Sequence, residues 1–294
     1  MSVRLIQMPS EETMLASVRR HFPDIDLQNY VINTDGWDHA VLLVNNQYVF
    51  RFPLDDDYLE QLSREITILK QLSPLVSVDI PQYEFIPDNK QFAGYPMLPG
   101  HQLKKAVLDS LSDQEQTIIA SQLAAFLTEL HTTVANGHAF PGLPAWLLHQ
   151  DQPELVENAQ KFLPSKLTPT ELERVQKVLG TTETMLRNPP TQAFIHNDLY
   201  SSHILWDSAQ QKLGVIDFSD MCMGDPAVDF NELFEYGKDF VEKVYELYQG
   251  PKDNTFLQRA WQYQQWTGVF MMTDYFINDK LTWAEARELF DKTV

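Results

Sequence analysis

The stretch AFIHNDLYSSHILWDSAQQKLGVIDFSD, residues 193–220, constrains this chain more than any other, because it sets Asp198, His203 and Asp217 on one short loop and hairpin. Residues 193–195 read as a short apolar strand, and 204–206 and 213–216 as two more, joined by a polar turn over 207–211. A loop therefore runs into a hairpin, and the hairpin leaves at Asp217. Phosphoryl transfer needs this kind of layout: one carboxylate to orient and deprotonate a hydroxyl, and a second carboxylate with one further ligand to hold Mg²⁺ on the phosphates. Asp198 suits the first role, and Asp217 with His203 the second.

The spacing sharpens this reading. The protein-kinase catalytic loop runs H-R-D-x-x-x-x-N and is followed, after a hairpin, by the aspartate of D-F-G. The corresponding frame here is His196-Asn197-Asp198, then His203 where the Asn would stand, then Asp217-Phe218-Ser219. Imidazole nitrogen is a less usual Mg²⁺ ligand than oxygen, so this position departs from the pattern. HNDLYSSHIL (196–205), GVIDFSD (214–220) and GDPAVDF (224–230) together resemble the aminoglycoside phosphotransferases, small-molecule kinases with the protein-kinase fold. The nearest branch is the one that modifies the 2-double-prime hydroxyl, whose loop also carries a His at the second metal position. Macrolide phosphotransferases share that His. The resemblance continues into NELFEYGKDFVEKVYELY (231–248) and covers, with gaps, most of the chain from about Thr34 onward.

Length and composition set outer limits. A chain of 294 residues that is 44% hydrophobic can bury a large core and form two lobes. No apolar run reaches the ~18 residues of a membrane span, and MSVRLIQMPSEET lacks the apolar core of a signal peptide. The single cysteine, Cys222, excludes an internal disulfide, and a cytoplasmic location is expected. A net charge of −19 argues against nucleic acid or an anionic membrane as partner, and would attract a cationic substrate.

In the first part of the chain, residues 10–22 read as an amphipathic helix with Met14, Leu15, Val18 and Phe22 on its apolar side. A strand opens at Val31-Ile32. The segment Asn33-Thr34-Asp35-Gly36-Trp37-Asp38 then turns into a strand over 39–44, where a phosphate-covering loop would lie, although one Gly matches G-x-G-x-x-G poorly. Asn45-Asn46 tolerates the positive φ angles of a tight hairpin leading to the strand 47–52. Alternation places Val49, Arg51 and Pro53 on one face of that strand and Tyr48, Phe50 and Phe52 on the other. A charge within so apolar a strand needs an anionic partner. The helix over 58–72, with Leu62, Ile66, Leu69 and Leu72 at helical spacing, offers Glu65, and Asp55-Asp56-Asp57 before it reads as a solvated loop. YVFRFP (48–53) with REITILKQL (64–72) is similar to the same family, where a cation here grips nucleotide phosphates and a helix Glu pairs with it. Arg51 replaces the protein-kinase Lys; it stays charged and can hold phosphate in two-pronged fashion. Residues 81–89 suggest another strand and turn. QFAGYPMLPG (91–100) looks like the hinge. By resemblance, backbone groups near Pro96 and Leu98 would bind a purine edge, Pro96 as acceptor and Leu98 as donor, with Tyr95 bordering the pocket.

In the remainder, Ser112 with Glu115, Thr168 with Glu171, and Thr282 with Glu285 form capping boxes that start three helices, the first running to about Thr133. His131 near its end reads as a structural histidine. The resemblance makes Asp229 a brace beneath the catalytic loop, while Asp225 before Pro226 reads as a turn and cap. Glu232, Glu235 and Asp239, and later Asp274 and Asp279 beside Trp266 and Tyr275, mix acids with aromatics; such groups receive protonated amines, or simply form a solvated face. Glu232, Glu235 and Asp274 are the candidate acceptor ligands.

The expected architecture is α+β and protein-kinase-like, with a small mixed-sheet lobe over 1–96 and a mainly helical lobe over 97–294. The expected activity is transfer of the γ-phosphoryl of ATP or GTP, with Mg²⁺, to a hydroxyl of a small molecule, with the net charge favouring a cationic one. Aminoglycosides lead the acceptor classes; a macrolide, or a metabolic amino-alcohol or sugar, stays open, as does a nucleotide-binding protein without catalysis.

Overall fold

A computed structural model describes residues 9–34, 36, 38–146, 148–187, 191–278 and 280–294. Asp35 and Trp37 of the expected covering loop, and Asp279, lie outside the described residues. The chain divides into two compact units, Met1–Gln102 with Phe140–Leu143 and Ile204–Ser219, and Leu103–Ala139 with Pro144–His203 and Asp220–Val294.

The first unit is built on a four-stranded sheet in the order β1 (Tyr30–Asn33), β2 (His39–Val44), β3 (Tyr48–Pro53), β4 (Ala93–Pro96). Its three pairings are all antiparallel, not mixed. Short connections make antiparallel neighbours of β1, β2 and β3, since a parallel pair needs a long crossover. Asn45 and Asn46 take φ of 54° and 53°, the tight turn that lets Val44 face Tyr48. Before β1 comes α1 (Glu11–His21), capped by the Ser10 side chain, which accepts from the Thr13 amide. Its Met14, Leu15 and Val18 pack with Leu42, Phe50, Phe52 and Phe92 into one core, where the Phe52 and Phe92 rings stack at 4.7 Å. The alternation along β3 is therefore real: Phe50 and Phe52 enter this core, while Val49 joins Tyr95, Leu98 and Leu205 in a separate cluster.

After β3 the chain forms α2 (Asp56–Leu72). The acidic triplet is the helix start and not a loose loop: the Asp55 side chain accepts from the Tyr58 amide, and Asp56 and Asp57 sit in the first turn, where the helix dipole favours anions. The buried positions are Leu62, Glu65, Ile68, Leu69 and Leu72, so a carboxylate occupies the apolar stripe and Ile68, not Ile66, is fully inside. The strand expected over 81–89 is reduced to one bridge, Phe85 to Gly94, followed by the expected turn at 88–89. Pro81 and Pro87 have no amide hydrogen and cannot extend a ladder. A three-stranded sheet, β5 (His101–Gln102), β7 (Ile204–Asp207) and β8 (Lys212–Val215), completes the unit, with Ile204 paired to Val215.

The second unit is mainly helical: α3 (Lys105–Ser110), α4 (Asp113–Thr132), α5 (Leu148–Phe162), α6 (Pro169–Leu186), α7 (Lys238–Leu247), α8 (Phe256–Asp274) and α9 (Trp283–Thr293). All three expected capping boxes are formed, each with the N-cap hydroxyl accepting from the N3 amide and the Glu reaching back. Val175, Val178 and Leu179 of α6, Val269 and Met272 of α8 and Phe290 of α9 share one core. The unit's only strands among the described residues, β6 (Ala193–Ile195) and β9 (Cys222–Gly224), pair antiparallel and lead into and out of the acidic loop segments. Among the described residues no helix is long and apolar enough to cross a membrane.

Candidate active site

In the first unit a cavity of about 370 Å³ is lined by Val41, Leu43, Val49, Tyr95, Met97, Leu98, Leu205 and Ile216, with Arg51 and Asp217 adding charge and Asn33, Gly100, His101 and Gln102 completing the wall. Its size and apolar lining with a few polar groups suit a small organic ligand. Arg51 is 4% exposed. Its Nη1 donates to both Glu65 oxygens at 3.0 Å, and its Nη2 to Asp217 Oδ1 at 3.0 Å. Glu65 is fully buried and does not line the cavity; it also accepts from the Tyr83 hydroxyl at 3.0 Å. Burial pushes the Glu65 carboxyl up to about 7, with the Arg51 guanidinium pulling the other way.

Of the hinge residues, Tyr95 and Leu98 line the cavity, and the Tyr95 ring meets the Tyr83 ring edge-on at 5.1 Å. Pro96 ends β4, is exposed and lies outside the lining. Asp217 holds φ of 65°, a left-handed conformation costly for most residues and tolerated by Asp. Its Oδ1 also accepts from Ser219 Oγ at 3.0 Å, and the Ser219 carbonyl accepts from Gln61 Nε2 at 2.7 Å.

In the second unit the loop after β6 turns at Asn197, with φ of 69°. Asp229 holds that turn from beneath, accepting from the His196 amide at 2.8 Å, the Asn197 amide at 2.8 Å and His131 Nε2 at 3.0 Å. His131 is buried and its Nδ1 takes the Tyr248 hydroxyl at 2.8 Å, so it is structural, as its position at the end of an apolar helix suggests. Asp198 is a quarter exposed, and its Oδ2 lies 3.2 Å from His203 Nδ1. That Nδ1 also lies 2.8 Å from the Asp198 carbonyl. A carbonyl only accepts, so Nδ1 carries a proton, and when the ring is neutral its lone pair is on Nε2, the form a metal ligand requires.

The three candidate acceptor acids differ. Glu235 is exposed. Glu232 is buried and receives the Tyr200 hydroxyl; burial first, and the Asp198 charge second, push its carboxyl up to about 8. Asp274, at the end of α8, is 4% exposed, accepts from Asn278 Nδ2 at 2.6 Å through Oδ1, and has no partner for Oδ2 among the described residues. Asp225 is more than a turn residue. Its buried carboxylate receives Arg259 Nε at 2.6 Å, Arg259 Nη2 at 3.1 Å and the Tyr263 hydroxyl at 2.8 Å, besides the Ala227 amide. Those partners lie far along the chain, beyond the reach of local spacing.

Sequence reasoning also missed Asp38, His39, Tyr83, Tyr200 and Ser219. His39 is the one with a legible signal, as a histidine opening an otherwise apolar strand: it is 2% exposed, with Nδ1 at 3.2 Å from Arg51 Nη2 and 2.8 Å from Asp38 Oδ2.

Comparison with known proteins bears on the family and the fold. Over most of its length the chain is similar to a GDP and kanamycin complex of APH(2")-IIIa, with 26% identity, a TM-score of 0.82, and coverage of 95% of this chain and 97% of that one. It shares its fold with the macrolide 2'-phosphotransferase MphH from Brachybacterium faecium, at 19% identity and a TM-score of 0.68, covering 96% of this chain and 98% of that one. A sequence relative is the uncharacterized protein YcbJ of Bacillus subtilis (strain 168), 26% identical over an alignment of 216 residues, with 69% of this chain and 69% of that protein covered. The phosphotransferase enzyme family matches residues 30–259, which take in Arg51, Glu65, the loop at Asp198 and His203, and Asp217, and on that match this chain belongs to the family as a small-molecule kinase with the kinase-like fold.

Proposed function

We propose that the protein transfers the γ-phosphoryl of ATP or GTP to a hydroxyl of a small cationic molecule of the aminoglycoside kind. The observation that carries this reading is the cavity of mostly apolar walls that Arg51 and Asp217 also line, which offers a base an apolar surface and its phosphates a cation. The Leu98 amide has no acceptor among the described residues, which leaves it to donate to the base, and Arg51 grips the phosphates. Net charge of −19 favours a cationic acceptor, and the related enzyme that binds kanamycin supports the same class.

The donor set fits a divalent cation: a carboxylate at Asp217 and an imidazole whose tautomer presents Nε2 at His203. The β7–β8 hairpin brings the chain in at His203 and out toward Asp217 at the same end, because Ile204 pairs with Val215. Mg²⁺ bound there would neutralise charge on the phosphates. Asp198 accepts the proton of the acceptor hydroxyl at its carboxylate, and the His203 contact orients that carboxylate. Glu235 and Asp274 receive acceptor amines, while Glu232, protonated at neutral pH, holds Tyr200 beside the loop. Positioning and charge neutralisation suffice for a loose transition state.

A coupled assay with ATP and GTP across aminoglycosides tests this. Asp198→Asn and Asp217→Asn are expected to lower turnover by orders of magnitude with unchanged melting. Retention of most activity by either variant refutes the assignment.

A further inference from the structure

We propose that Arg259, with Tyr263 one turn further along α8, is a positioning residue for Asp198: it fixes the carboxylate of Asp225, and through it the chain reversal that brings Asp229 beneath the acidic loop. The inference rests on reading Asp198 as the group that accepts the hydroxyl proton. The need for a reversal follows from the β6–β9 register. Ile195 pairs with Cys222 and Ala193 with Gly224, so β6 leaves the ladder at one end and β9 at the other. Beyond Gly224 the chain stands beside Ala193, about 7 Å behind the point where the loop begins. Yet Asp229, five residues on, must accept from the His196 and Asn197 amides, immediately before Asp198. The ladder alone cannot deliver it there.

Asp225 opens the reversal. Its Oδ1 accepts from the Ala227 amide at 3.0 Å and its carbonyl from the Val228 amide at 2.9 Å, which turns the chain into the short 3-10 segment Val228–Phe230 that carries Asp229. A turn of that kind needs one side-chain oxygen at a surface. Here the carboxylate is fully buried, and both of its oxygens are taken from α8: Arg259 Nε at 2.6 Å and the Tyr263 hydroxyl at 2.8 Å on Oδ2, and Arg259 Nη2 at 3.1 Å on Oδ1. Paired N–H groups of a guanidinium fix the plane of a carboxylate as well as its place, which an ammonium does not. The remaining corner of the guanidinium, Nη1, is tied to both Asp253 oxygens at 2.7 Å and to Thr255 Oγ1 at 2.6 Å, so Arg259 is itself held on the far side from Asp225. Asp225 thus has the same orientation enforced by four donors, and the loop inherits it through Asp229.

The test uses the full chain and two readouts: steady-state turnover of GTP with kanamycin, and amide hydrogen exchange, which needs no acceptor. Arg259→Lys keeps the charge and loses the paired contact. We expect kcat to fall about tenfold with the KM for GTP within about twofold of the native value, since the loop shifts while the nucleotide cavity does not. The His196 and Asn197 amides are expected to exchange about tenfold faster. Tyr263→Phe, with one donor fewer at nearly equal volume, should give about a threefold change in both readouts. Asp253→Ala cuts the outer corner and leaves Asp225 held; it is expected to lower the melting temperature while kcat and both exchange rates stay within about twofold, which separates positioning from general stability. Should Arg259→Lys fail to fold, Tyr263→Phe decides by the same readouts. Unchanged exchange at both amides in the Arg259 and Tyr263 variants overturns the proposal, and so does Asp253→Ala slowing turnover as much as Arg259→Lys. Retained turnover in Asp198→Asn removes the role of Asp198 instead. Absence of kanamycin turnover by the native chain counts against the acceptor class, and exchange at the two amides then decides the proposal alone.

Discussion

Replacing Asp229 by Asn tests how the acidic loop is held. The Asp229 carboxylate is 1% exposed and accepts three N–H groups, from His196, Asn197 and His131. An amide of the same shape must place its NH₂ where one oxygen was. At the Oδ2 position the NH₂ would meet two donors, the His196 amide and the His131 ring. At the Oδ1 position it meets only the Asn197 amide, so this orientation wins. It leaves the half-buried Asn197 amide unpaired, at about 1–3 kcal/mol, and turns two charge-assisted bonds into neutral ones, at about 1 kcal/mol each. Together these come to about 3–5 kcal/mol. Asn197 is already in a sparsely populated conformation, with φ of 69°, and the bond from its amide to Asp229 helps to hold it there. Equilibrium urea unfolding reads the stability loss, and hydrogen exchange at the His196 and Asn197 amides reads its location. We expect both amides to exchange faster and turnover to fall, because Asp198 follows directly on the loosened turn. A loss below about 1 kcal/mol with unchanged exchange at both amides would refute the reasoning.

Two further outcomes follow from buried groups. The Glu232 carboxyl titrates at about 8 in the folded chain against an ordinary 4.5, so between those values the folded state keeps a proton that the unfolded state has released. Stability contributed by this group is full at low pH and lost as pH rises, and the advantage of Glu232→Gln in thermal melts should grow from about pH 4.5 to 8; a constant difference across that range refutes it. Gly94→Ala would drive a Cβ into the Phe50 ring and to 2.9 Å from the Val49 carbonyl, and is expected to cost about 1–3 kcal/mol in urea unfolding, with a neutral result contradicting the packing described.

Local chemistry in the sequence determined a good part of this protein. Capping boxes at Ser112, Thr168 and Thr282, the Asn45-Asn46 turn and the two faces of β3 each depend on residues a few positions apart, and each is formed as the spacing predicts. A charged Arg51 within an apolar strand required an anion, and Glu65 on the next helix supplies it. Tertiary structure decided what spacing cannot encode. Asp225 became a buried ion-pair partner of Arg259, 34 residues away, Glu232 lost its charge at neutral pH through burial beside Asp198, and His39 was drawn to Arg51 across the β2–β3 pairing. A residue's type is fixed locally, but its partners and its proton depend on which groups folding brings within about 3–4 Å and how much water it removes from around them.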